Sequence, residues 1–269
     1  MTKILFRHSL AELGEYEIAC RHSDVIESRA QVKPGDVVLG RYSVLPYYHE
    51  LERDVHHLGG TMLTTRQQHE YVADMQNWYR DLRDLTPETW FGLAEFTASQ
   101  HPGPFVLKGA TNSRKNLWRT HMFAQDRDAA REVYFRLMED PMIADQGVVF
   151  RTYEPFVQYG TSLSGAPVTK EFRFFVFRGA VVASGYYWAS QLDLFDGSKI
   201  PSPDDVPDDF VQSVIRAVGN SIPFWVFDCA ERTDGVWRVV ELNDGQMSGL
   251  SCCGAEELYS SLAYAVANR

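Results

Sequence analysis

One stretch constrains the fold more than any other: Phe224-Trp-Val-Phe-Asp-Cys-Ala-Glu-Arg-Thr-Asp-Gly-Val-Trp-Arg-Val-Val-Glu-Leu-Asn-Asp244. Two apolar runs flank Asp234-Gly235, the favoured dipeptide of a two-residue β-hairpin turn. With those two residues as the loop, Thr233 faces Val236 and Asp228 falls directly opposite Glu241. Side chains alternate along a strand, so Asn243 shares the face of Glu241. The same register places Val226, Ala230 and Val239 on that face, and Trp225, Phe227, Val240 and Leu242 on the other. Two carboxylates facing each other across a strand pair repel and normally destabilise it. A divalent cation removes that cost. Carboxylate and amide oxygens are the hard donors Mg²⁺ takes, with water and substrate phosphates completing its shell. Asp228, Glu241 and Asn243 are therefore the candidate metal ligands; the plainer alternative is a polar face in solvent.

A chain of 269 residues that is 45% hydrophobic can bury a sizeable core, as one large domain or two compact lobes. Its net charge of −10 argues against broad electrostatic binding of nucleic acid. No apolar run is long enough to cross a bilayer, and residues 1–10 lack the apolar segment of a signal peptide. Cys20, Cys229, Cys252 and Cys253 form no C-x-x-C unit, so reduced thiols in a cytoplasmic protein are expected. The eight histidines are scattered and read as ordinary polar residues.

Residues 3–6 and 36–40 read as strands, the second following the turn signal Pro34-Gly35. Arg41 to Tyr48 form a polar loop broken by Pro46. Residues 47–58 and 66–83 have helical spacing, with Tyr71, Met75, Trp78 and Leu82 on one face. This alternation predicts an α/β N-terminal lobe over residues 1–85. Thr86-Pro87-Glu88 reads as a helix start. Beyond it the pattern is α+β, with strands at 105–108, 147–151, 156–159, 170–177, 180–188, 223–230 and 236–242. Helices are predicted at 127–139, 207–219 and 255–267.

Taken with these upstream elements, Asp228 and Glu241-Leu242-Asn243 resemble the metal-binding end of ATP-grasp enzymes. The resemblance covers residues 86–269 and implies an ATP-grasp fold in which antiparallel sheets cradle ATP. In that family, residues matching Asp228, Glu241 and Asn243 hold Mg²⁺ against the ATP phosphates. Asp244-Gly-Gln-Met-Ser-Gly249 is similar to the loop that closes over the acceptor. Phe105-Val-Leu-Lys108-Gly109 resembles the strand whose lysine contacts the α- and β-phosphates, followed by a covering loop that ends at Lys115. Residues 148–156 occupy the place of the hinge that meets adenine near Glu154 and Phe156, and Glu154 and Glu171 are both candidates for the acid near the ribose. Arg173, two residues after Glu171, suits a γ-phosphate or acyl phosphate, because a guanidinium presents a fixed fork of donors.

Two departures stand out. No Lys or Arg occurs between Asp84 and Lys108, and Val226 stands where many of these ligases carry an arginine. Arg151 and Arg173 are the cations available to replace them. That combination is similar to a compact phage and bacterial clade whose site is characterised by two arginines and one lysine, and the run Gly40–Tyr48 resembles its preceding lobe. The resemblance implies an ADP-forming carboxylate–amine ligase, with Lys108, Arg151 and Arg173 as its catalytic cations. The acidic surface points to an amino acid, a small metabolite or a peptide as acceptor, and a homodimer is left open. An ATP-dependent phosphotransferase and a nucleotide-binding interaction module without turnover are the alternatives.

Overall fold

The computed structural model describes residues 2–7, 14–42, 44, 47–195 and 199–267. The N-terminal lobe contains β1 (Thr2–Phe6), α1 (Glu15–His22), β2 (Asp24–Ile26), β3 (Val37–Arg41), α2 (Tyr48–His57) and β4 (Thr61–Met62). Its four strands form a parallel sheet in the order β2-β1-β3-β4. Parallel sheets are covered on both faces, and here Ile4 and Phe6 join one core while Leu5 and Val38 join another. Of the loop expected between Arg41 and Tyr48, Ser43, Leu45 and Pro46 lie outside the described residues. Arg41 itself ends β3 and Tyr48 opens α2.

The helix expected at 66–83 is divided into α3 (Arg66–Ala73) and α4 (Met75–Leu82). Asp74 is extended (φ −105°, ψ 118°) and its side chain accepts from Gln76 N, so it stops one helix and caps the next. The apolar period survives the break, because Val72, Met75, Trp78 and Leu82 are all buried.

The helix start expected at Thr86-Pro87-Glu88 is not found. The chain there runs into the strand β5 (Thr89–Phe91), and α5 (Gly92–Ala98) begins later. The Thr86 hydroxyl donates to Val239 O at 2.8 Å, which removes it from any capping role. There follow β6 (Phe105–Gly109), β7 (Phe123–Ala124), α6 (Arg127–Met138), α7 (Pro141–Ala144) and β8 (Val148–Thr152). An antiparallel sheet, β5-β8-β6-β7, packs Phe105, Leu107 and Phe150 against Phe96 of α5 and Val133 and Leu137 of α6.

A short pair, β9 (Gln158–Thr161) and β10 (Pro167–Thr169), leads into the central sheet. That sheet holds β11 (Glu171–Phe177), β12 (Ala180–Tyr186), β13 (Phe224–Glu231) and β14 (Trp237–Asp244), in the order β12-β11-β13-β14. Between β12 and β13 lies α8 (Asp208–Val218), and α9 (Ala255–Ala267) ends the described chain. The sheet is covered on both faces. Trp225, Phe227 and Leu242 meet α4 and α8, whereas Phe175, Phe224 and Val226 meet Leu258 and Leu262 of α9. Among the described residues no helix is long and apolar enough to cross a membrane.

The C-terminal hairpin reaches the expected pairing by another route. Arg232 N donates to Val236 O (2.8 Å), and Gly235 has φ 84°, so Thr233-Asp234-Gly235 is a three-residue loop. Only glycine takes that left-handed conformation without strain. Near the loop, Glu231 faces Trp237 and Cys229 faces Val239. A bulge between Cys229 and Asp228 then absorbs one residue of β14, and Asp228 faces Glu241 as expected. The correction falls on the residues between. Val239 lies with Trp225 and Phe227 in the core, not with Asp228, and Val240 borders the cleft described next.

Candidate active site

The two antiparallel sheets enclose a cleft of about 870 Å³. One end is lined by Val106, Trp118, Met122, Phe156, Ala166 and Pro167; the other carries Lys108, Lys115, Arg151, Glu171 and Glu241. An apolar slot beside a cluster of cations suits a planar base joined to an anionic tail. Seven residues singled out from sequence, Lys108, Lys115, Arg151, Glu154, Phe156, Glu171 and Glu241, border this one cavity.

Arg151 lies on β8 and reaches across to the bulge. Its Nη1 donates to Val240 O (2.6 Å), and its Nη2 donates to Thr86 Oγ1 (2.7 Å). Its Nε has no partner, and among the described residues no carboxylate lies within ion-pair distance of it. Burial pulls this guanidinium down to about 10, against the opposing pull of Glu241 and Glu154. A buried cation held by neutral groups is a place where an anion is stabilised.

Lys108 leaves β6 and pairs with Glu241. Burial lowers the Lys108 ammonium. Burial would raise the Glu241 carboxyl, but Lys108 and Lys115 together bring it down to about 2, with a hydrogen bond from Asn243 assisting. Lys115 Nζ donates to Tyr187 Oη (2.8 Å) and sits 4.1 Å from the centre of that ring. Glu171 shows the opposite behaviour, since burial raises its carboxyl despite Lys115. Its Oε2 accepts from Thr169 Oγ1 and Trp188 Nε1, both at 3.0 Å, while buried Oε1 has no partner. Glu154 is tied to Arg238 (3.2 Å) and Arg232 (3.6 Å), so of the two acids only Glu171 keeps an uncommitted oxygen.

Arg173 lies elsewhere. From β11 it grips Asp228 through Nε–Oδ1 and Nη2–Oδ2, both 2.8 Å, and its Nη1 donates to Gly249 O (2.7 Å). Asp228 is 1% exposed, and this fork satisfies its carboxylate. With Asn243 and the 247–249 loop, Arg173 lines a second hollow beside the first.

Two carboxylates and a carboxamide thus meet on facing positions of the hairpin. Among the described residues no three acidic, histidine or cysteine side chains form a protein-only metal cage. Mg²⁺ usually takes one or two carboxylates and obtains its remaining ligands from phosphates and water. The donor set of Glu241, Asp228 and Asn243 fits that chemistry.

His69 is a site candidate that sequence reasoning misses. Buried on α3, its Nδ1 lies 2.9 Å from Asp244 Oδ2, one residue beyond Asn243. The available signal was its place on the buried face of α3 beside Val72.

The chain matches, over residues 96–262 and so over more than half its length, the ATP-grasp domain family described as family 3 of the clade labelled for two arginines and one lysine. It belongs to that family, and its fold is the ATP-grasp fold. Solved structures agree. A RimK domain ATP-grasp protein from Sphaerobacter thermophilus is 16% identical, with 97% of this chain and 98% of that one covered and a TM-score of 0.58. D-cycloserine synthetase DcsG is 15% identical with both chains fully covered and a TM-score of 0.60. The ATP-grasp ligase PsnB, solved with its minimal precursor, Mg and ADP, is 12% identical over 100% and 98% of the two chains, with a TM-score of 0.57. No curated protein matches the sequence.

Proposed function

We propose that this chain is an ATP- and Mg²⁺-dependent carboxylate–amine ligase that forms an acyl phosphate and releases ADP. The observation that carries the reading is the convergence of Lys108, Lys115 and uncompensated Arg151 beside an apolar slot and the Glu241 carboxylate. The adenine lies among Val106, Met122, Phe156 and Pro167, with Glu171 Oε1 available to a donor on the nucleoside. Lys108, Lys115 and Arg151 neutralise the phosphates. Glu241, Asp228 and Asn243 hold Mg²⁺, which when bound draws charge from the phosphoryl oxygens. Arg173 positions Asp228 and fastens the 247–249 loop through Gly249 O. In this reading the two arginines and one lysine of the site are Arg151, Arg173 and Lys108, residues 1–85 form the preceding lobe, and the protein is cytoplasmic. DcsG is called a synthetase and PsnB a ligase acting with a precursor peptide, which favours an amino-acid, small-molecule or peptide acceptor here.

The test is a screen of amino acids and peptides for ADP release with Mg·ATP, with the product identified by mass. An amide whose mass equals the two substrates less water is expected. AMP release in place of ADP, or nucleotide binding with no ADP across the screen, would overturn the ligase reading.

A further inference from the structure

One buried pair beside the second hollow has no part in the steps above. Asp244 Oδ1 accepts from Gln246 N (2.8 Å), and Oδ2 accepts from Gln246 Nε2 (3.1 Å) and faces His69 Nδ1 (2.9 Å). A carboxylate in that position fixes Nδ1 as the donor, which leaves the lone pair on Nε2. The ring plane is fixed as well. Tyr48 stacks on the imidazole with centroids 4.2 Å apart and planes 5° from parallel. Tyr48 Oη donates to Thr64 O (2.6 Å) and accepts from Gln246 Nε2 (2.7 Å).

Among the described residues Nε2 makes no hydrogen bond. The imidazole borders two adjoining hollows, and one of them continues past Thr111 to Arg173, Asn243 and Gly249. A histidine serving only to fill the core has no need of an oriented carboxylate, a stacked ring and an open nitrogen together. A nitrogen base held by a carboxylate is the usual arrangement for accepting a proton.

We infer that His69 is the proton acceptor for the attacking amine, an assignment that rests on the ligase reading. The acceptor enters as an ammonium. His69 Nε2 takes one proton, so an N–H bond of the ammonium breaks and an Nε2–H bond forms. The freed lone pair attacks the acyl phosphate carbon, the C–N bond forms, and the C–O bond to phosphorus breaks with its electrons. The departing phosphate takes the second proton of the nitrogen, leaving an amide and hydrogen phosphate. The imidazolium is stabilised by Asp244 and returns its proton to water in the hollow.

The experiment compares two nucleophiles. The full chain is incubated with Mg·ATP and the common amino acids, with and without hydroxylamine. Hydroxylamine is largely unprotonated at neutral pH, so it captures an acyl phosphate without help from a base. His69→Asn keeps an amide donor near the Nδ1 position and removes Nε2. The ratio of amide to hydroxamate is expected to fall about 100-fold or more, and added imidazole is expected to restore part of it. His69→Gln, which places an amide near Nε2 but no base, should lower the ratio likewise and serves where His69→Asn does not fold. An unchanged ratio overturns the assignment, as does a fall that imidazole leaves untouched, the mark of a purely structural role. If the wild-type protein forms neither hydroxamate nor ADP, the ligase reading fails and the assignment fails with it. A wild type that forms both separates the role of His69 from the question of ligation.

Discussion

Arg151 and Arg173 approach the same hairpin from different sheets, and they differ in what they hold. Arg173, on the central sheet, spends its fork on Asp228 and a third donor on Gly249 O. Arg151, on the neighbouring sheet, meets only a carbonyl, a hydroxyl and an empty position. Burial is similar, at 7% and 6% exposed, so environment alone does not separate them. The partner does. A buried guanidinium with its carboxylate is a completed structural unit, whereas one without is prepared for an anion that arrives later. The side of the cleft nearer Arg151 is therefore the one suited to phosphate.

The largest effect should come from the acid that both sides share. Glu241→Gln is expected to lower ADP formation by roughly 10³-fold or more while the far-ultraviolet circular dichroism stays that of the wild type. Normal activity in that variant would remove Glu241 from the metal-binding set. Next come the arginines themselves. Arg173→Met strands a buried carboxylate and should cost about 3–5 kcal/mol in urea unfolding. Arg151→Met should cost no more than about 1–2 kcal/mol, because a desolvated charge is lost along with its hydrogen bonds. It should instead weaken nucleotide binding by about 10–100-fold. Equal destabilisation by the two variants would break the comparison.

A pH series sharpens it further. The folded Glu241 carboxyl is depressed to about 2, below its unfolded value near 4.5. Its contribution to stability is therefore complete above that unfolded value and disappears as the pH falls toward 2. The difference between the two values corresponds to about 3 kcal/mol. Urea midpoints measured at pH 6 and pH 3 should fall more steeply for the wild type than for Glu241→Gln. Parallel curves would deny the ion pair with Lys108 that role. The smallest effect is expected of Thr86→Val, which removes the hydroxyl linking Arg151 to Val239 O and should cost about 1 kcal/mol with a few-fold loss of nucleotide affinity.

Much of this molecule is legible in sequence because alternation and helical period speak for themselves. The strands around Lys108, Arg173 and Asp228 follow from that signal, as do the buried faces of α3 and α8. What is not legible depends on partners distant in sequence. Thr86 looks like a helix cap until β14 supplies a carbonyl for it 153 positions away. Arg173 reads as a phosphate ligand until the register of β11 against β13 sets it on Asp228. His69 looks ordinary in isolation, and its meaning rests on Asp244, 175 positions on. Asp74 is a local signal easily overlooked, since an aspartate within an apolar period can cap a second helix as well as decorate a first.

The bulge at Val240 has a consequence for how this chain can change length. Loop and bulge are two one-residue shifts in phase whose effects cancel at Glu241. Deleting one loop residue alone would restore the tight turn but slide β14 out of step, sending the Glu241 side chain toward the core in place of Leu242. Deleting Val240 alone would do the same from the other end. Removing both should return Asp228 and Glu241 to opposite positions, at the cost of the carbonyl that Arg151 holds. The hairpin can thus shorten only in paired steps, like a reading frame that tolerates a deletion once a second one corrects it.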